Sequence, residues 1–149
     1  HLNSTPKPVI LVAKQTYSLG LEKLSGLFGG NMTAQFKAFR VVGVVTDGPM
    51  RDYVEIKEQN VQYLAAGLTS GHGPLQLRGV NIPIKVAGMA VKPGDIVHID
   101  HCGACKFPAD KLPKVLEYAT ELIKREAKGQ EMFRDPSFSL EKWKMSDQK

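Results

Sequence analysis

The stretch from Gly29 to Glu55, GGNMTAQFKAFRVVGVVTDGPMRDYVE, leaves this 149-residue chain few ways to fold. Two glycines open a segment in which Met32, Phe36 and Phe39 recur at steps of four and three, the spacing of one helical face. Asn31 is of the residue type that caps a helix start, and no proline interrupts the run to Arg40. Val41 to Val45 follows, β-branched except for Gly43, which predicts a buried strand. The turn Asp47-Gly48-Pro49 then delivers Arg51 and Asp52 side by side at the strand's C-terminal end.

Chemically, the pattern is a glycine-rich helix start near an Arg-Asp pair. A helix N-terminus offers unpaired N–H groups and partial positive charge, which suit a carboxylate or phosphate. Glycine removes the side chain that would keep a ligand from the backbone. Arginine clamps an oxyanion at two points, and a neighbouring aspartate can hold a hard divalent cation. The plain structural alternative is a helix–strand–turn unit with a surface Arg-Asp pair, a common arrangement.

Composition narrows the classes. The length fits one domain with a real core, and 42% hydrophobic with 23% charged residues is ordinary for a globular protein. The net charge of +5 is scattered among acidic residues and lacks the aromatic-plus-basic ladder of a single-strand binder; steering of a small acidic substrate fits it equally well, and no nucleic-acid partner is expected. No apolar run reaches the length of a membrane span and no signal peptide is visible, so no membrane partner is expected. Two cysteines without secretory features point to a reducing cytoplasm.

Along the chain, residues 1–8 read as irregular and Pro8–Ala13 as a buried strand, while Lys14 to Gly26 commits to neither period. Asp52 to Gln59 predicts a short helix with Val54 and Ile56 inward, and Val61 to Ala66 another strand. Gly67 to Gly79, with four glycines and Pro74, is a long loop carrying His72, read as exposed to water or bound to a neighbouring subunit rather than as a proton carrier or substrate contact. From Val80 the pattern is β: Val80, Ile82 and Ile84 alternate, Val86 to Val91 continues, and Lys92-Pro93-Gly94-Asp95 has type II turn chemistry. Ile96–Asp100 and Cys105–Phe107 are further strands. Asp110 is expected to cap a helix over Lys111–Lys128 that Gly129 ends. Its stripe of Leu112, Val115, Leu116, Ala119, Leu122 and Ile123 is read as core or subunit contact. The expected organisation is one domain over 1–129 and an aromatic tail or arm over 130–149.

His98, Asp100, His101, Cys102 and Cys105 raise the question of a metal cluster, since Cys102-x-x-Cys105 is half of a zinc motif. There is no second CxxC, and strand alternation puts His98 and Asp100 on one face with His101 in the turn. No GxGxxG, P-loop or GxSxG motif is present.

Gly30, twenty residues, Arg51-Asp52, two residues, Glu55: this order resembles the signature of the class II 4-hydroxy-4-methyl-2-oxoglutarate aldolases and the similar RraA-like regulators of ribonuclease E activity. The flanking words LFGGN, VVTDGPMRD, GHG, VNIPIKVAGMAVKPGDIVHID and GACKFPADKL match as well, over about Val9 to Lys128. The resemblance implies an α/β fold, the swivelling β/β/α-type (αββα) sandwich, with a family segment expected before Val9. It implies assembly as a trimer or hexamer with active sites between subunits. Where relatives have an acidic and a small residue this chain has His101 and Cys102, so the CxxC is a local departure. A methyltransferase label once used for the family finds no support, because no glycine-rich loop for S-adenosylmethionine follows a first strand.

By that resemblance the chain is a lyase for 2-oxo acids, acting by retro-aldol cleavage or by decarboxylation of oxaloacetate, both through pyruvate enolate. N–H groups around Gly29, Gly30, Asn31 and Met32 would hold the substrate's C1 carboxylate, and Arg51 the oxyanion. Asp52 would carry Mg²⁺ or Mn²⁺, Glu55 would support Arg51, and Asp47 stands as a weaker outer candidate. The competing reading is a non-catalytic protein that binds and inhibits a ribonuclease, and a third is a structural subunit. Turnover, and its sensitivity to Asp52→Ala, separates them.

Overall fold

The β-branched run meets the sheet it demands. The computed structural model describes residues 1–17 and 20–146. In it β1 (Val9–Ala13), β2 (Val41–Thr46) and β3 (Gln62–Leu64) form a parallel sheet with β2 in the middle. Parallel neighbours need crossovers, and these are supplied by α1 (Gly30–Ala38) and α2 (Tyr53–Glu58). A register shift between Val9 and Ile10 skips Val42, which stays exposed while Val41 and Val44 are buried.

Alternation sorts the side chains into two cores. Val9, Phe28, Val41, Val44 and Val61 form one, with Leu11, Ala13, Met32, Phe36 and Tyr63 packed on it. Phe28 meets Phe36 edge to face at 5.2 Å. Val45, Val86 and Ile99 form the other, joined by Ile10, Val12, Leu64, Ile84, Met89 and Val97. The first lies under α1; the second lies under two hairpins, β4 (Ile84–Val86) with β5 (Met89–Val91), and β6 (Ile96–Asp100) with β7 (Gly103–Phe107). This is the mixed α/β, RraA-like architecture the resemblance implied.

Several local expectations are corrected. Phe39 follows the last helical turn and is exposed. In α2 only Ile56 is buried, because residues two apart lie on nearly opposite sides of a helix, which sends Val54 outward. Val80 and Ile82 are exposed and outside any strand, and Val86 to Val91 is broken by a turn at Ala87 and Gly88, both at positive φ. The type II turn at Lys92–Asp95 forms as expected: Gly94 has φ +86, and Asp95 N–H donates to Lys92 O at 3.1 Å. Strand β7 starts two residues earlier than predicted, and Asp100 closes the hairpin by accepting from the N–H groups of Cys102 and Gly103.

The structure divides into two compact units, His1–Ala109 and Asp110–Lys149. In the second, α3 (Leu112–Arg134) follows a 3₁₀ turn, and Asp110 pairs with the Lys111 ammonium instead of capping. Gly129 does not end α3. The helix stops at Asp135, whose extended backbone is what a following proline imposes. Leu112, Leu116, Leu122 and Ile123 of the apolar stripe are exposed. The tail folds onto its own helix: α4 (Leu140–Ser146) brings Trp143 within 6.1 Å of the Phe133 ring, and Phe138 lies 5.3 Å from the same ring.

Three outcomes follow from this arrangement. Val44 is fully buried, so Val44→Ala should cost about 2 kcal/mol in urea unfolding, whereas Val42→Ala at its exposed neighbour should change little. Gly129 sits inside a helix with room for a methyl, since the atom nearest an added Cβ would be Phe133 Cε2 at 4.0 Å. Gly129→Ala should therefore stabilise α3 by about 0.5–1 kcal/mol, read as helix melting by circular dichroism. Asp95 accepts from Lys92 N–H at 3.0 Å and pairs with Lys106 at 3.2 Å, which together hold its carboxyl below the usual carboxylate range. A carboxyl lowered on folding stabilises above its unfolded pKa of about 3.9 and loses that contribution as pH falls through the folded value. The unfolding midpoints of Asp95→Asn and parent should therefore differ at neutral pH and converge in acid.

Candidate active site

Past the ends of β2 and β3 the chain keeps pairing. Phe28, Met50 and Leu68 form isolated parallel bridges in that order. Arg51 N–H donates to Phe28 O and Leu27 N–H to Pro49 O, both at 2.9 Å. On the other side Met50 N–H donates to Gly67 O at 2.9 Å and Thr69 N–H to Met50 O at 3.1 Å. This ladder fixes the segment before α1 against the segment that carries Arg51 and Asp52.

Glycine makes the approach possible. Arg51 lies along residues 26–29: a Cβ at Gly26 would overlap its aliphatic stem, and one at Gly29 would stand 2.9 Å from Nη2 and 3.3 Å from Nε. The Arg51 Nε–H is buried and has no acceptor among the described residues. Asp52 takes a left-handed backbone, φ 56 and ψ 44, a region aspartate tolerates better than most residues. From there its Oδ2 accepts the Gly30 N–H at 2.9 Å, and a Cβ at Gly29 would come within 2.5 Å of it. Glu55 lies over Gly30, where any Cβ would overlap its carboxylate.

The helix start is clamped from the other side as well. Thr33, fully buried, donates its hydroxyl to Gly29 O at 2.9 Å and shares a 2.6 Å hydrogen bond with Tyr63 OH. Burial pushes the Tyr63 hydroxyl up, opposed by its bond to Thr33. Gln59 Nε2 donates to Gly30 O at 3.1 Å. A hollow of about 470 Å³ opens beside the pair, lined by Met50, Arg51, Asp52, Tyr53, Leu68, Thr69 and Ser70.

The structure thus brings Gly29, Gly30, Arg51, Asp52 and Glu55 together. It differs from expectation at Asn31, Glu55 and Asp47. Gly29, not Asn31, is the N-cap of α1, and Asn31 is exposed while the Met32 side chain packs in the core. Glu55 makes no ion pair with Arg51 among the described residues. Asp47 faces away, paired with the Lys14 ammonium and accepting the Gln15 N–H at 2.8 Å. His72 is exposed, with only a 3.5 Å contact to Gly73 O. Gly26, Thr33, Gln59 and Tyr63 escaped the sequence reading. Of these only Gly26, three residues before the glycine pair, left a trace in the pattern.

At the other candidate cluster His98 contacts Asp100 at 3.4 Å, and Cys102 and Cys105 are free and exposed. Among the described residues no group of three or more His, Cys, Asp or Glu side chains is arranged to hold a metal ion, and no helix is long and apolar enough to cross a membrane.

The chain has known relatives. The chain is 32% identical over 85 residues to 4-hydroxy-4-methyl-2-oxoglutarate aldolase of Thermus thermophilus, covering 56% of this chain and 52% of that protein. It is similar in structure to an uncharacterized protein from Pseudomonas syringae pv. tomato, with a TM-score of 0.82 and 22% identity over 97% of this chain and 67% of the other, a likeness of fold alone. The RNA-processing inhibitor RraA from Thermus thermophilus superposes with a TM-score of 0.59 at 28% identity, covering 66% of this chain and 58% of that one. The chain spans about half the length of the curated relatives it matches. Residues 2–105 match the RraA-like family profile, Aldolase/RraA, a family that holds both aldolases and RraA regulators, and on that match the chain belongs to the RraA-like family.

Proposed function

We propose that the chain carries the site of a divalent-metal-dependent lyase that cleaves 2-oxo acids through pyruvate enolate. The reactions are the 4-hydroxy-4-methyl-2-oxoglutarate type of retro-aldol cleavage, oxaloacetate decarboxylation, or both. One observation carries the reading: the Arg51 guanidinium and the Asp52 carboxylate converge on a Gly29–Gly30 helix start where an added Cβ would meet Arg51, Asp52 or Glu55.

The residues fit a hard cation. Magnesium retains most of its waters and needs few protein ligands, so the single exposed carboxylate of Asp52 suffices to hold Mg²⁺ or Mn²⁺. Such an ion supplies Lewis-acid polarisation of the keto and carboxylate oxygens. N–H groups at Gly30, Asn31 and Met32 receive the substrate's C1 carboxylate, with Gly29 leaving the space. In the retro-aldol reaction the C4 hydroxyl gives up its proton, the C3–C4 bond breaks, and its electron pair moves to the keto oxygen. Arg51 neutralises the charge that develops there. Glu55 packs over Gly30 and supports the helix start. The exposed residues of the α3 apolar stripe support a homo-oligomer, a trimer or pair of trimers, and the cysteine usage supports a cytoplasmic setting.

The test is pyruvate release from both substrates, coupled to lactate dehydrogenase, with Mg²⁺ and with EDTA. Turnover should require the metal, and Arg51→Ala or Asp52→Ala should lower it by about 10²–10³-fold. Gly29→Ala should keep its unfolding midpoint yet lose most activity, because the added methyl displaces only the flexible ends of Arg51 and Asp52. Metal-independent turnover, or none in folded protein, would sink the lyase reading. The second reading, a regulator that binds a ribonuclease, draws on the likeness to the RNA-processing inhibitor and would then take its place.

A further inference from the structure

We infer that Asp52 is a resident ligand of the site's own carboxylate-binding amide, so that the divalent cation and the 2-oxo acid bind in compulsory order, cation first. The inference rests on the lyase reading above and concerns how that site is loaded.

The observations are three. Asp52 Oδ2 accepts the Gly30 N–H at 2.9 Å, at the start of a nine-residue helix, and so occupies a donor that a substrate carboxylate would need. Arg51, the residue before it, does not take that carboxylate: no ion pair joins them among the described residues, where the buried Arg51 Nε–H also has no acceptor. Asp52 is also held in a left-handed backbone, φ 56, which sets its side chain toward Gly30 rather than out along α2.

An anion-holding donor of the helix start is therefore taken by the chain's own carboxylate. An incoming carboxylate must compete with a charge-assisted hydrogen bond and meets a like charge as it does so. Both obstacles fall when Asp52 turns to ligate a divalent cation. Its oxygen leaves Gly30, its charge is neutralised, and the Gly30 N–H becomes available to the substrate's C1 carboxylate. The internal anion keeps the metal-free site closed to its own substrate.

The experiment follows the Gly30 amide of the full chain by ¹H–¹⁵N NMR, with pyruvate as the probe ligand and no turnover required. In metal-free protein this amide proton should be shifted downfield by its carboxylate partner. Mg²⁺ alone, without pyruvate, should move it. Pyruvate in EDTA should bind Asp52→Ala about tenfold or more tightly than it binds the metal-free parent. Asp52→Gly, which suits the positive φ, should behave in the same way and guards against a folding defect in the alanine variant. Asp52→Asn keeps an acceptor for Gly30 and should stay weaker than both. A Gly30 amide indifferent to Mg²⁺, an Asp52→Ala protein that binds pyruvate no better than the parent, or an Asn variant as tight as the alanine one would overturn the inference. Absence of turnover with these binding results intact would overturn only the lyase reading, and turnover without them only the ordered loading.

Discussion

Everything chemical in this chain hangs on a short backbone ladder, the parallel bridges that join Phe28 to Met50 and Met50 to Leu68. Backbone hydrogen bonds between distant segments are directional, so they fix registration in a way that apolar burial alone cannot. Arg51 N–H on Phe28 O sets the glycine pair one residue from the Arg-Asp pair. Without that bond the two halves of the signature would be neighbours by composition only.

The ladder holds because a two-faced sheet stands behind it. Along β2 Val44 is directed to the core beneath α1 and Val45 to the core beneath the hairpins, so the strand cannot slip by one residue without exchanging its whole apolar set. Thr33 and Tyr63 add a polar tie from β3 to the first turn of α1. Rigid strands thus present loops and a helix end, and the loops carry the side chains of the candidate site.

Much of this was legible in the sequence because local chemistry and tertiary demand agree. Met32 and Phe36 lie on the face that α1 buries, Val41 to Val45 is the central strand, and Pro93-Gly94 makes the turn its residues specify. The misses have physical causes. Asn31 has the right side chain for a cap, but the extended backbone at Gly29 and a carboxylate from elsewhere take that place. Ala87-Gly88 adopts a turn with two positive φ values although alanine gives no sign of it. Gly129 stops a helix only if it adopts a left-handed conformation, and Gly129 has none. The resemblance named Arg51, Asp52 and Glu55 together, but not that Asp52 bonds Gly30 or that Glu55 covers it, since such contacts span more than twenty residues and leave no periodic trace.

Gly43 shows how far the site's architecture reaches. A Cβ there would stand 3.0 Å from the Ile99 Cδ1 methyl of β6, so the middle of β2 and the inner face of the second hairpin are gauged against each other. A methyl gained at one position must be surrendered at the other. In a suppressor screen, Gly43→Ala would therefore be rescued from the hairpin layer, by Ile99→Val, rather than from anything near Arg51. The strand that leads to the candidate site inherits its mutational tolerance from the hairpin layer.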